Sequence, residues 1–213
     1  KLGTGTLTID PNWEFSDDFS GSVIDTDLWS LEKDDPRHEI VQSDGRLNFI
    51  LDEQAEELYV DAEASRILPL DEDWTVQAKV FADAALGSGN WYQTGIDLET
   101  YNETHDEREI GIQLTQQGVR ALIPDHDDWS NTIESGYDEY GAEEAYLRIR
   151  HVASARTLYL EYELDGDTNG WDWDTLMTFN METGAGTNAS GQTFQTTSWG
   201  AMGQPSEYMN LEI

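Results

Sequence analysis

The 213-residue chain contains no cysteine. That excludes a disulfide framework and any thiolate metal site. A chain of this length needs neither, because it can bury enough surface to hold a core unaided. Basic side chains are scarce: 11 Lys plus Arg face 44 Asp plus Glu, for a formal net charge of −33. A field of that sign repels phosphate backbones and excludes nucleic acid as a partner. No apolar run approaches the roughly 18 residues of a spanning helix, so no membrane insertion is expected. Helical periodicity is weak throughout, which argues against a helical bundle.

What is present points to strands. Eight Trp and nine Tyr argue against disorder despite the charge. Period-two alternation predicts strands over 12–19, 38–43, 46–52, 57–68, 74–83, 91–101, 108–115, 118–124, 145–151, 157–164, 174–180 and 206–213. Turn chemistry separates them at Ser43-Asp44-Gly45, Gly87-Ser88-Gly89-Asn90, Gln117-Gly118 and Asp165-Gly166-Asp167. Many short strands at regular spacing predict one all-β domain over 11–213, an antiparallel two-sheet sandwich. Residues 1–10, KLGTGTLTID, are expected as a linker or N-terminal extension from a larger multidomain protein. Self-repulsion at this charge is tolerable where salt screens it. The expected setting is extracellular or cell-surface, in a secreted bacterial protein of marine or halophilic type.

Alternation also assigns faces, since successive side chains point to opposite sides of a strand. Val76, Ala78, Val80, Ile96, Leu98, Ile110, Ile112, Leu114, Leu147, Ile149, Leu158, Leu160 and Tyr162 are expected inside. Phe19, Trp29, Leu47 and Phe49 join them. The outward set contains Gln77, Lys79, Trp91, Gln93, Asp97, Glu99, Gln113, Tyr146, Arg148, Arg150, Tyr159, Glu161 and Glu163. Ion pairs of Arg148 or Arg150 with Glu161 or Glu163 are expected across neighbouring strands. His38, His105 and His126 sit in acidic turns and read as solvated; His151 ends a strand and reads as structural.

The stretch WEFSDDFSGSVIDTDLWS, Trp13 to Ser30, and the final EYMNLEI, Glu207 to Ile213, carry a resemblance. The first resembles the opening strand of concanavalin A-like lectin/glucanase domains, jelly-roll sandwiches that include laminin-G-like modules and family-16 glycoside hydrolases. In that family a short C-terminal strand returns beside the opening one, so Trp13 to Phe19 and Tyr208 to Ile213 are expected to pair directly or to face each other across the core. The resemblance implies a saccharide groove on one polar sheet face. Aromatic rings stack on a pyranose, while amides, carboxylates and guanidinium groups bond its hydroxyls. Gln77, Lys79, Trp91, Gln93, Asp97, Glu99, Gln113, Arg148 and Arg150 suit that role.

A retaining hydrolase needs two carboxyl groups about 5 Å apart. Family-16 members place theirs on a Glu-x-Asp-x-(x)-Glu strand. GIDLE, Gly95 to Glu99, is similar, with Asp97 and Glu99 matching the later two acids and Gly95 standing where the nucleophile belongs. A polysaccharide lyase would instead draw on Lys79 and Tyr159, to neutralise a uronate and move a proton. Its Arg-Thr-Glu-Leu and Gln-Ile-His signatures are missing. The resemblance also implies a structural Ca²⁺ near Asp18, Gly45 and Asn210. The expected function is therefore non-catalytic glycan binding, as a carbohydrate-binding or adhesion domain. A lyase or hydrolase of the same fold is the alternative, and a structural spacer the second.

Overall fold

The computed structural model describes residues 2–10, 15–52, 60–82, 93–101, 107–124, 132–136, 138, 141–168, 170–196 and 208–212. They form seventeen strands and two short 3-10 turns, Ala153–Ala155 and Gly166–Thr168. The strands are β1 Leu2–Asp10, β2 Phe15–Asp17, β3 Trp29–Lys33, β4 Glu39–Ser43, β5 Arg46–Ile50, β6 Val60–Pro69, β7 Trp74–Ala82, β8 Gln93–Tyr101 and β9 Glu107–Thr115. There follow β10 Gly118–Pro124, β11 Thr132–Glu134, β12 Glu144–Val152, β13 Thr157–Glu163, β14 Asp174–Asn180, β15 Ala185–Asn188, β16 Thr193–Gln195 and β17 Tyr208–Glu212.

Two antiparallel sheets result. The ten-stranded sheet runs β16-β15-β14-β13-β12-β7-β1-β5-β4, with β2 paired to β1. The seven-stranded sheet runs β11-β10-β9-β8-β17-β6-β3. β7 shows why the chain folds this way. Trp74, Val76, Ala78, Val80 and Ala82 are buried, and the residues between them are not. β12 repeats the pattern with Ala145, Leu147, Ile149 and His151. These inner faces meet Ile96, Leu98, Ile110, Ile112 and Leu114 of the other sheet in one core. Every residue expected inside is buried. β4 and β5 are joined by Asp44 and Gly45, both at positive φ, the two-residue hairpin loop whose twist matches its strands.

Two expectations are corrected, and a third is narrowed. Residues 1–10 are not a linker, since β1 lies between β5 and β7 in the middle of its sheet. Leu2, Thr4, Leu7 and Ile9 register with the core residues Ala82, Val80, Ala78 and Val76. A register shift between Thr4 and Leu7 breaks the period of two, which hid the strand. Of the two arrangements expected for the opening segment and the final strand, direct pairing is not the one adopted, for β2 and β17 belong to different sheets; Trp13 lies outside the described residues. Asp17 is tied instead to β3, its carboxylate accepting the Trp29 indole N–H at 3.0 Å. His38 is not solvated. It is fully buried, its Nδ1 accepting the Asp52 N–H at 3.0 Å and its Nε2 lying 3.0 Å from Asp34. His105 and His126 lie outside the described residues.

His151 is structural, and it makes the fold sensitive to acid. Its Nδ1 donates to the Glu72 carbonyl at 2.8 Å, its ring packs on Trp74 at 5.1 Å, and its Nε2 has no hydrogen-bond partner among the described residues. Burial pushes its pKa below the ordinary value of 6.5, against the pull of the Glu72 carbonyl. The folded pKa is the depressed one, so the unfolded chain binds the proton more readily. The resulting stability is full above about pH 6.5 and falls below it, by at most about 1.4 kcal/mol per pH unit. Carboxylates with lowered pKa, such as Asp18 and Asp35, lose their share only at still lower pH. Urea midpoints should drop between about pH 7.5 and pH 5. In His151→Phe that drop should shrink; an unchanged drop would assign it elsewhere.

Candidate functional site

The residues expected on one polar face divide between two. Gln77 and Lys79 on β7, Arg148 and Arg150 on β12, and Tyr159 on β13 lie on the outer side of the ten-stranded sheet. Gln93, Asp97 and Gln113 lie on β8 and β9, on the outer side of the seven-stranded sheet. Stacked sheets stand about 10 Å apart, so the two sets occupy opposite sides of the molecule. Trp91 lies outside the described residues. Glu99 is a residue of β8 paired with Glu109 and Asn210, and its side chain is not described. The hydrolase candidates Asp97 and Glu99 belong to the seven-stranded sheet, and the lyase candidates Lys79 and Tyr159 to the ten-stranded sheet. Lys79 is also paired with Glu144 at 3.0 Å. Alternation separates inside from outside, but it reads the same for both sheets.

The seven-stranded face is built on two matching tetrapeptides that differ at their third residue. Gly95-Ile96-Asp97-Leu98 on β8 runs antiparallel to Gly111-Ile112-Gln113-Leu114 on β9. The register centres on Ile96 opposite Ile112. Gly95 therefore faces Gln113, and Gly111 faces Asp97. Each glycine clears the floor for the other strand's polar side chain. A Cβ at Gly111 would overlap the Asp97 carboxylate, and one at Gly95 would overlap the Ile112 carbonyl oxygen and stand 2.8 Å from the Gln113 Cγ. The position of a family-16 nucleophile is thus closed to any side chain unless β9 moves.

Over this floor the polar groups form a chain. Gln113 Nε2 donates to Asp97 at 3.3 Å. Gln113 Oε1 accepts from Arg120 Nη2 at 3.1 Å and Nε at 3.3 Å. Arg120 also donates to Gln93 at 2.8 Å and to Glu134 at 2.7 Å. Gln113 is only 3% exposed, and Leu122 is buried beside Gly111 outside the main core. Asp97 and Arg120 are half-buried, while Gln93 and Glu134 reach solvent. The chain spans β8 to β11, three strand spacings or about 14 Å. It offers carboxylate acceptors, amide groups and guanidinium donors along one recessed line. Sequence reasoning missed Arg120 and Glu134. Arg120 had a signal, standing between the buried Val119 and Ala121, whereas Glu134 belongs to a strand three residues long.

The calcium ligands are only partly assembled. A Cβ at Gly45 would stand 3.7 Å from the Asp18 carbonyl oxygen, so those two residues are neighbours. The Ser20 hydroxyl, and after it the Ser20 N–H at 2.9 Å, hydrogen-bonds the Asp18 carboxylate and lowers its pKa. Asn210 is in β17 of the other sheet, and its side chain is not described. No group of three His, Asp or Glu side chains among the described residues could hold a metal ion.

The architecture has a counterpart among solved structures. The chain is similar to winged bean acidic lectin in complex with methyl-α-D-galactose, with a TM-score of 0.52 over 97% of this chain and 88% of that one. This chain has the lectin-type jelly-roll fold. At 9% identity the likeness extends to the fold alone. No family model matches the chain, and no curated protein matches it.

Proposed function

We propose that this chain is a glycan-binding domain and that the saccharide lies across the outer face of the seven-stranded sheet. The observation that supports this most is the Asp97–Gln113–Arg120 chain on its glycine-cleared floor. Polar groups recessed on the solvent side of a sheet contribute nothing to the core between the sheets. They cost desolvation unless satisfied, and a joined network of this kind holds each group in one orientation. Asp97 and Glu134 would accept from sugar hydroxyls, and Gln93 and Arg120 would donate to them. The likeness to a lectin fold supports the reading without naming the sugar.

Titration of the chain with neutral oligosaccharides tests it. Asp97→Asn should weaken binding about tenfold, the usual value of a hydrogen bond to a charged group, with the melting temperature nearly unchanged. The two glycines should behave differently. Gly111→Ala should displace the Asp97 carboxylate and cost affinity more than stability. Gly95→Ala presses on backbone and should destabilise by about 1–3 kcal/mol. Neutral-sugar binding that ignores both Asp97→Asn and Gly111→Ala would place the site elsewhere.

A further inference from the structure

The opposite face carries a continuous run of rings and cations. The Arg46 guanidinium lies 3.7 Å over the Phe81 ring. Lys79 Nζ stands between Phe81 at 4.9 Å and Tyr146 at 5.1 Å. Tyr146 meets Trp171 edge-on at 5.0 Å, and Trp171 stacks on Trp173 at 5.2 Å and 9°. Arg148 lies 3.9 Å over Trp173, and Arg150 lies 4.1 Å over Tyr159. The two arginines share one buried carboxylate, Glu161, at 2.7 and 3.0 Å.

The segment that brings the two tryptophans is locked down. After β13 the chain turns at Gly166–Thr168 and folds back over the sheet. Both oxygens of the buried Glu163 hold it, accepting the N–H of Asp165 at 2.9 Å and of Asp172 at 3.0 Å. Gly166 has φ +62, and a Cβ there would stand 2.9 Å from the Tyr146 ring. Trp171 is nonetheless 45% exposed. Arg148 and Arg150 bond Glu161 through Nε and Nη2, leaving each Nη1 without a protein partner among the described residues.

We propose that this face is a second saccharide site, separate from the seven-stranded face, and that it takes an acidic sugar chain. The exposed indole offers a stacking surface for a pyranose ring. The fixed guanidinium edges offer paired donors to a uronate carboxylate or a sulfate. Two cations share one carboxylate at Glu161, which leaves guanidinium donors in excess at that pair on a chain of net charge −33. That setting inverts the usual effect of salt. Contacts within hydrogen-bond reach survive screening, while repulsion from Glu163, Asp172, Asp174 and the wider surface does not. The Debye length shrinks from about 30 Å at 0.01 M to about 3 Å at 1 M. An acidic sugar should therefore bind more tightly as salt is added.

The test is calorimetric titration of the intact chain with a uronate, a sulfated and a neutral oligosaccharide, at about 0.02 M and about 0.5 M NaCl. One or both acidic sugars should bind, at least about threefold more tightly in the higher salt. Trp171→Ala should weaken that binding about fivefold or more and leave the melting temperature close to wild type. Asp97→Asn should leave it unchanged, which separates this site from the other face. Indole fluorescence should shift on binding and lose most of the shift in Trp171→Ala. Failure of both acidic sugars at either salt would overturn the proposal. So would affinity that falls with added salt, or binding indifferent to Trp171→Ala. Neutral-sugar binding weakened by Asp97→Asn, with no acidic sugar bound at either salt, would support the first site alone and count against this one.

Discussion

The melting temperature should fall by roughly 10 °C or more when salt is lowered from about 1 M to about 0.02 M. The excess of 33 negative charges is the cause. Two like charges 10 Å apart repel by about 0.4 kcal/mol in unscreened water. At about 1 M salt the Debye length is near 3 Å, so nearly all such pairs vanish. Relief of only about 4 kcal/mol shifts the midpoint of a domain this size by roughly 8–16 °C. Sodium chloride is the titrant of choice, because sulfate also strengthens apolar burial by exclusion from the surface. A midpoint that stays flat across the series would show that the acidic groups are spaced too widely to repel one another.

Glu161→Ala should destabilise the fold by about 3–5 kcal/mol, as when one member of a buried ion cluster is removed. Glu161 registers with Arg148 and bonds both Arg148 and Arg150, with its side chain only 5% exposed. Without it two guanidinium groups face each other on a partly desolvated surface. Burial already lowers the Arg148 pKa, and the Glu161 charge opposes that shift. Glu161→Gln keeps an acceptor without the charge and should cost less. Arg150→Leu should cost less again, since the Arg150 side chain is 34% exposed and its departure leaves Arg148 paired. Urea unfolding measures all three. A loss under about 1 kcal/mol in Glu161→Ala would mean that solvent carries these charges, as at an ordinary surface pair.

The inner faces were legible in the sequence because burial imposes a strict rule on each strand. Val76, Ala78 and Val80 alternate with Gln77 and Lys79, and Ile110, Ile112 and Leu114 with Gly111 and Gln113; all six apolar residues are buried. β1 was illegible because its shift between Thr4 and Leu7 moves the apolar period by one residue. The sites were read less well for a different reason. Lys79 and Asp97 are both outward, yet only strand order reveals that they look out from different sheets. Gly95 read as a missing nucleophile. Its use becomes visible only beside Gln113, a neighbour in space that lies far along the chain. Trp171 and Trp173 stand in an aperiodic segment after a 3-10 turn, where no alternation exists to point at them. The cross-strand pairing of Arg148 with Glu161 followed from alternation. The sharing of that carboxylate with Arg150 did not.

The placement of β17 has a consequence for how the molecule assembles. It lies between β8 and β6, far downstream of both. Until it arrives, the seven-stranded sheet consists of two separate pieces, β11-β10-β9-β8 and β6-β3, each with an open hydrogen-bonding edge. Closing that gap means bringing distant segments together before any contact rewards the lost chain entropy. This step should come late and slowly, and it exposes two strand edges to wrong partners in the meantime. The dense negative charge would then serve the nascent chain as well as the finished one, by keeping half-built sheets from joining one another.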